Sequence, residues 1–285
     1  MDKVRDIIVI GAGPAGVSAA LTAKSRDKDV LVLSGPPGSS GLYKAERIDN
    51  YPGLPEVSGA ELYESINKHA ASRGIPFETE RVISAAPSGD MFFVSAGSSF
   101  LQCRALIICV GVTQKSAYPG ERELLGQGVS YCATCDGMLF KGKRVAVLGL
   151  AQDAAEEANF LHSIGCEVKY FAKKEPVSGL NEGIEVICAE RFEITGTNRV
   201  EALVADGVEH PCDGVFILRS SVAVDVLLPG IKTREGHIEV NRQMETSIPG
   251  IFAGGDCTGA PYQIAKAAGE GNLAALSAVK YMDKS

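Results

Sequence analysis

No apolar run in the 285 residues approaches the ~18 that a membrane-spanning helix needs. A transmembrane segment is therefore excluded, and no membrane partner is expected. An excess of basic residues is missing as well. Lys and Arg number 28 against 35 Asp and Glu, a net charge of −7, which argues against a nucleic-acid partner and favours solubility. Histidine is scarce: four residues, at 69, 162, 210 and 237, none close to another histidine, with Cys166 and Cys212 four and two positions after His162 and His210. No metal site is expected, since zinc would need a second ligand pair at comparable spacing. A secretory leader is not seen either. The short apolar run of "MDKVRDIIVIGAGPAG" ends in glycines and reads as a first strand. Eight cysteines lie at 103, 109, 132, 135, 166, 188, 212 and 257, spread along the chain without an export signal. That pattern excludes a disulfide scaffold and points to a reducing, cytoplasmic compartment. There is no short repeat and no low-complexity tract.

What is present is an ordinary soluble composition, 45% hydrophobic and 22% charged. The length exceeds the ~100–200 residues of one domain and implies two modules or one large α/β unit. Strand and helix signals alternate from the start. "RDIIVI" reads as a strand buried on both faces, "PAGVSAALTAKSR" as a small-residue helix and "DVLVLSG" as a second strand. Residues 34–57 are rich in Gly, Pro and Ser and read as a long functional loop. "SGAELYESINKHAASRG" predicts a helix with Ser58 as cap, Glu61 completing a capping box and Gly74 ending it. "FETERVISAA", "DMFFVSAG" and "SFLQCR" predict antiparallel strands, and "ALIICVG" a further buried one. A second strand–turn–helix–strand unit is predicted at 143–171, and the C-terminal part reads as a strand, a Gly-rich turn and a long helix. The dinucleotide-binding plan is thus duplicated at long period.

Three motifs carry chemistry. Gly11, Gly13 and Gly16 follow a strand and open a helix, the context that makes such glycines informative. The first permits a tight turn, the second close approach of a pyrophosphate, the third helix–strand packing. The free N–H groups of the helix then face the phosphates. Ser34, not an acid, ends the second strand, so ribose recognition must come from elsewhere or be weaker. In "YCATCDG", Cys132 and Cys135 stand three apart at a helix start, where a thiolate is stabilised. Asp136 follows and could shuttle a proton. Half a zinc site or two buried thiols are the other readings of this pair. In "TSIPGIFAGGDCTGAPYQIAKAAGEG", Asp256 sits in a Gly-rich turn between strand and helix, where it can accept a bond from a sugar or ribityl hydroxyl.

Taken together, "IIVIGAGPAGVSAA", "IDNYPGLPEVSG", "ALIICVG", "SYCATCDG" and "TSIPGIFAGGDCTG" make the chain resemble, over nearly its whole length, the low-molecular-weight thioredoxin reductase family of flavoproteins. The resemblance implies an α/β fold of two Rossmann-like domains, in three-layer ββα/βαβ form, the second inserted in the first. Residues 1–112 and 241–285 would form a discontinuous FAD-binding domain, and 113–240 an inserted NADPH-type domain carrying the redox disulfide. FAD contacts are implied at Gly11, Gly13, Pro14, Ala15, Gly16, Asn50, Gly111, Gly255, Asp256, Gln263 and Ile264. Cys135 resembles the cysteine that faces the flavin, Cys132 the one that attacks the partner, and Asp136 the acid–base residue. Electrons would pass from FAD to the Cys132–Cys135 disulfide and on to a thioredoxin-like protein. A homodimer is implied too, with rotation of the inserted domain about hinges near 112–116 and 238–243.

The second nucleotide turn departs from the family's NADPH users. It keeps Gly149 but has Ala151 at the second glycine and Ala154 at the third position. The next strand ends in "KYFAKKEP", with Lys173 and Lys174 in place of a His-Arg-Arg run; lysines lack the planar fork of arginine. Tyr262 stands before Gln263, where NADPH users commonly have arginine, and "SSGLYKAERIDNYPG" departs from their Gly-Gln-Leu loop. These departures resemble the branch that takes electrons from reduced ferredoxin. An acidic donor would need a local basic patch, for which Lys141, Lys143, Arg144, Lys169, Lys173 and Lys174 are candidates. The alternatives are an NADPH-dependent thioredoxin reductase with degenerate motifs and a flavin redox sensor or binding protein without turnover.

Overall fold

A strand buried on both faces must be apolar at consecutive positions, and residues 7–10 meet that demand. The computed structural model describes residues 3–37, 40–97, 99–112, 118–151, 153–174, 177–219 and 223–284. The chain runs through β1 (Arg5–Ile10), α1 (Pro14–Lys24), β2 (Val30–Ser34), α2 (Gly59–Ser72) and β3 (Phe77–Thr79). Next come β4 (Val82–Ser88), β5 (Met91–Ala96) and β6 (Ser99–Ile108). They are followed by β7 (Val129–Ser130), α3 (Ala133–Asp136), β8 (Arg144–Gly149), α4 (Ala154–Ser163) and β9 (Glu167–Ala172). After these lie β10 (Glu185–Cys188), β11 (Phe192–Thr195), β12 (Ala202–Ala205), β13 (Val208–Pro211) and β14 (Gly214–Leu218). The last part holds α5 (Val224–Leu227), β15 (Thr233–Arg234), β16 (His237–Ile238), β17 (Ile251–Ala253) and α6 (Ile264–Met282). Among the described residues, no helix is long and apolar enough to cross a membrane.

Contacts divide the chain into two compact units, residues 1–114 with 221–285, and residues 115–220. The first is built on a sheet of order β3-β2-β1-β6-β5-β4, with β17 also paired to β6. Alternation along β1 explains its two cores. Ile7 and Val9 face α1 and α6, in a cluster with Ala15, Ala19, Ala274 and Ala278. Ile8 and Ile10 face the other way, in a cluster with Val82, Phe92 and Val94 of the antiparallel strands and with Leu227 of α5. Helices, parallel strands and antiparallel strands therefore form three layers.

Two strand expectations are corrected. "FETERVISAA" is not one strand: Phe77–Thr79 runs parallel to β2, while Val82–Ser88 runs antiparallel to β5. "SFLQCR" and "ALIICVG", conversely, merge into one strand. The first half of β6 pairs antiparallel with β5, and its second half pairs parallel with β1 and β17. Local alternation cannot register that a strand changes partners halfway. The capping box of α2 is present as expected, with the Glu61 amide donating to Ser58 Oγ and the Ser58 amide to Glu61.

The second unit has a sheet of order β10-β9-β8-β14-β7, parallel in its described pairings, and a separate meander β11-β12-β13. The chain returns to the first unit at 220/221, ahead of the expected 240/241. Burial is the reason. Val224, Leu227, Leu228, Ile231 and Ile238 lie in the core of the first unit. The hinge expected near 238–243 consequently falls inside that unit. Residues 113–116 of the other expected hinge lie outside the described residues.

Candidate active sites: a glycine-rich cradle and a dithiol turn

In the first unit, three parallel strands end side by side. Ile108 of β6 is in register with Ile10 of β1 and with Ala253 of β17. The turns that follow carry Gly11–Gly16, Gly111 and Gly254–Asp256, so most residues expected to hold FAD meet at one carboxyl edge of the sheet. That is where open α/β sheets bind nucleotides. Gly11 has φ +112, and a Cβ there would strike the Cys109 carbonyl. A Cβ at Gly16 would strike the Gly11 carbonyl. Gly13 differs: the space where its side chain would stand is clear of protein for 4 Å. It is the N-cap of α1, with no side-chain cap, Pro14 in the first turn and no acid there. The free amides and positive end of α1 thus open onto unobstructed space, which fits a pyrophosphate.

The opposite wall is the turn before α6. Asp256 is half-buried, and burial pushes its carboxyl above the usual range, with Lys266 pulling down and Glu270 pushing up. A carboxylate in that setting gains from accepting a ligand hydroxyl. Gln263 is the N-cap of α6, also without a side-chain cap, and Ile264 is its first residue. Asn50 donates to Gln263 Oε1 at 2.9 Å, which brings two expected FAD contacts together across the chain. Tyr262 is exposed and hydrogen-bonded to His237 Nε2 at 2.8 Å.

Sequence reasoning missed the side chains that hold this turn. Lys266 Nζ donates to the carbonyls of Gly255 at 3.0 Å and Gly259 at 2.6 Å, and lies 3.1 Å from Glu270. Glu270 in turn accepts from the Gly255 amide at 2.8 Å and from Thr258 Oγ1 at 2.9 Å. Their i, i+4 spacing on α6 was a visible signal. Asn67 donates to the Ala12 carbonyl at 3.2 Å and steadies the first turn from α2. Cys257 is fully buried, its thiol pushed up to about 12 by burial, and it packs against the Ile108 and Gly254 carbonyls as a structural residue.

In the second unit, Cys132 and Cys135 form a disulfide with Cα atoms 5.4 Å apart. Cys132 is the N-cap of α3, and its sulfur accepts from the Cys135 amide at 3.1 Å. Cys132 is buried and Cys135 exposed. Asp136 accepts from Ser130 Oγ at 2.7 Å, and the Ala133 amide donates to Glu157 of α4 at 2.9 Å. The pair is therefore anchored at both ends, by residues whose role no spacing announced.

The second nucleotide-type turn is built differently from the first. α4 has Asp153 as N-cap and Glu156 and Glu157 in its first turn. Three carboxylates crowd a helix end that would have to receive a diphosphate. Tyr170 of β9, 4% exposed, places its hydroxyl where a Cβ on Gly149 would stand. Burial raises the Tyr170 phenol pKa, and the Asp153 charge raises it further. Gln152 and residues 175–176 of the "KKEP" segment lie outside the described residues. Of the six basic candidates, Lys169 pairs with Glu185 at 3.0 Å, Arg144 lies 3.6 Å from Asp213, and Lys143 sits over the Phe140 ring.

The model of the pyridine nucleotide-disulphide oxidoreductase family matches residues 5–271. The thioredoxin reductase of Bacillus subtilis is 32% identical, with 99% of this chain and 96% of that one covered. Among solved structures, the ferredoxin-flavin thioredoxin reductase of Clostridium acetobutylicum is 42% identical with a TM-score of 0.94, covering 100% of this chain and 99% of that one. A thioredoxin reductase from Gloeobacter violaceus is 30% identical with a TM-score of 0.85, covering 98% of this chain and 95% of that one. A dinucleotide cradle, a redox-type cysteine pair and these likenesses across the full length agree: the chain belongs to the pyridine nucleotide-disulphide oxidoreductase family, among the thioredoxin reductases.

Proposed function

We propose that the chain is a flavin-dependent reductase of thioredoxin-like disulfides, supplied with electrons by reduced ferredoxin and not by NADPH. The observation that carries the donor assignment is the contrast between its two turns. One is open and free of acids at its helix end; the other has Ala151 in place of the second glycine and three carboxylates at its helix end. The likeness to the ferredoxin-flavin enzyme of Clostridium acetobutylicum supports the same reading.

FAD would be held by Gly11, Gly13, Pro14, Ala15 and Gly16 at its diphosphate, by Asp256 at its hydroxyls, and by Asn50, Gly111, Gly255, Gln263 and Ile264 around the remainder. Bound there, it would supply a centre that collects single electrons and delivers them as a pair. The chain's own part is thiol chemistry. The Cys132–Cys135 disulfide takes up two electrons and two protons and becomes a dithiol. The Cys132 thiolate then attacks the partner disulfide, forming a mixed disulfide and releasing one partner thiolate. Cys135 attacks Cys132, which restores the internal disulfide and releases the second thiolate. Asp136, held by Ser130, stands in the same turn to take the proton from the resolving thiol and return it to a departing thiolate. Cys132 is the buried member of the pair, so exchange requires its sulfur to be uncovered before a partner arrives. The kinship with thioredoxin reductases extends the reading to a cytoplasmic homodimer, which sedimentation of the purified protein would check.

The test is the Cys132→Ser variant. Thioredoxin reduction with ferredoxin as donor should fall to background, because thiolate attack by Cys132 is its obligatory step. Reduction of the flavin should proceed as in the parent. Turnover retained in that variant would contradict the exchange role of Cys132.

A further inference from the structure

Glu121 and Arg219 form a buried ion pair 98 positions apart that no motif announces. Glu121 is 1% exposed and Arg219 6%. The carboxylate is fully engaged. Its Oε1 accepts from Arg219 Nη1 at 2.8 Å and from the Tyr131 hydroxyl at 2.8 Å. Its Oε2 accepts from Arg219 Nη2 at 2.6 Å and from the Tyr118 amide at 2.8 Å. The guanidinium also lies over the Tyr118 ring, 5.2 Å from its centre.

A buried pair of this kind is weak evidence for stability, because desolvation offsets the attraction. Its geometry says more. Tyr131 is the residue before Cys132, is itself 7% exposed, and spends its hydroxyl on Glu121. Burial, and then the Glu121 charge, raise the phenol pKa, so the hydroxyl stays a donor. β7, which leads into Cys132, is only two residues long and pairs with β14, the strand that ends one residue before Arg219. So short a strand cannot fix the cysteine by its ladder alone. On the neighbouring position, Ser130 Oγ is shared between Asp136 and the Cys132 backbone. The backbone before Cys132 is thus gripped through two successive side chains, one tied to the redox turn and the other to the ion pair.

We propose that Glu121 and Arg219 are positioning residues for disulfide exchange, acting through the Tyr131 hydroxyl to fix the backbone that carries Cys132. The proposal rests on the exchange role given to Cys132 above. The leading test is Tyr131→Phe in the FAD-bound protein, which deletes one hydroxyl and leaves the ring in place. The protein is reduced, freed of reductant under anaerobic conditions and alkylated with iodoacetamide, and the Cys132 to Cys135 labelling ratio is read from peptides. That ratio should shift by about 5-fold or more, and kcat for thioredoxin should fall about 10-fold with KM unchanged, as small misplacements of a reacting atom do. A second comparison sets Arg219→Met against Arg219→Lys, where the lysine should recover part of the lost kcat. If Arg219→Met does not fold, Tyr131→Phe decides alone. A labelling ratio and a kcat both within about 2-fold of the parent in folded Tyr131→Phe would overturn the proposal, since a displaced backbone has to change both. A parent protein that reduces no thioredoxin would instead contradict the assigned reaction, and the labelling ratio would still decide the positioning role.

Discussion

The three glycines of the first turn are told apart by what each missing side chain would meet. Gly11→Ala and Gly16→Ala drive a methyl into backbone carbonyls, Gly11 with the further strain of φ +112. Each should destabilise the fold by more than about 2 kcal/mol, read as a lower Tm of the apoprotein. Gly13→Ala places its Cβ in open space. Its apoprotein Tm should stay within about 2 °C of the parent while FAD retention falls at least ~10-fold, because only the ligand's path is filled. Asp256 gives a pH signature. Its folded-state pKa is raised above 3.8 by burial, so its stabilising contribution is complete below pH 3.8 and is lost as pH rises through the folded value. Asp256→Asn should therefore raise apoprotein stability at neutral pH and bring no gain below pH 3.8, while weakening FAD binding. Thermal melts across pH with and without FAD check both signs. At this scale the sequence was legible where chemistry has a short spacing, as in Cys132 to Cys135 or Gly11 to Gly16. It was silent on Tyr170 against Gly149 and Glu121 against Arg219, since only the folded chain joins positions so far apart.

The two helices that follow nucleotide-type turns are similar in plan and opposite in electrostatics. α1 opens with Pro14 and no acid; α4 opens behind Asp153 with Glu156 and Glu157. A carboxylate stabilises the partial positive charge of a helix end and repels an incoming phosphate, so the acids that favour α4 disfavour an anion at the same place. One of these acids has a second task, since Glu157 holds the Ala133 amide at the head of the dithiol helix. Replacing the most visible departure should therefore not restore a pyridine nucleotide site. Ala151→Gly is expected to leave the rate of flavin reduction by NADPH within about 2-fold of the parent, because the acids at the α4 end remain. A stopped-flow trace in which that one variant accepts electrons readily would show that the Ala151 methyl was the whole obstacle. The strands teach a related lesson about reading. The pattern of β6 changes where its partner changes, from β5 to β1 and β17, so its residues alone suggest two segments. Periodicity reports which faces are buried and does not report the neighbour that buries them.

At the scale of the molecule, the duplicated plan was legible and the ownership of residues 223–240 was not. That segment has few strong periodic signals, and only its burial against β1, β2 and β6 assigns it to the first unit. The basic candidates were legible as a list, but three of the six are engaged by neighbours in the fold. Their contribution to recognising an acidic donor is correspondingly smaller than a count of lysines implies. The division of labour that results is simple. One unit carries a glycine-rich turn whose helix opens on unobstructed space, and the other carries a nucleotide-type turn with acids at its helix end, together with the cysteine pair. The direct measurement is an anaerobic spectral titration of the FAD-loaded protein with NADPH, NADH and reduced ferredoxin in turn. The flavin absorbance should bleach with reduced ferredoxin and stay unchanged with either pyridine nucleotide. Rapid bleaching by NADPH would contradict the account.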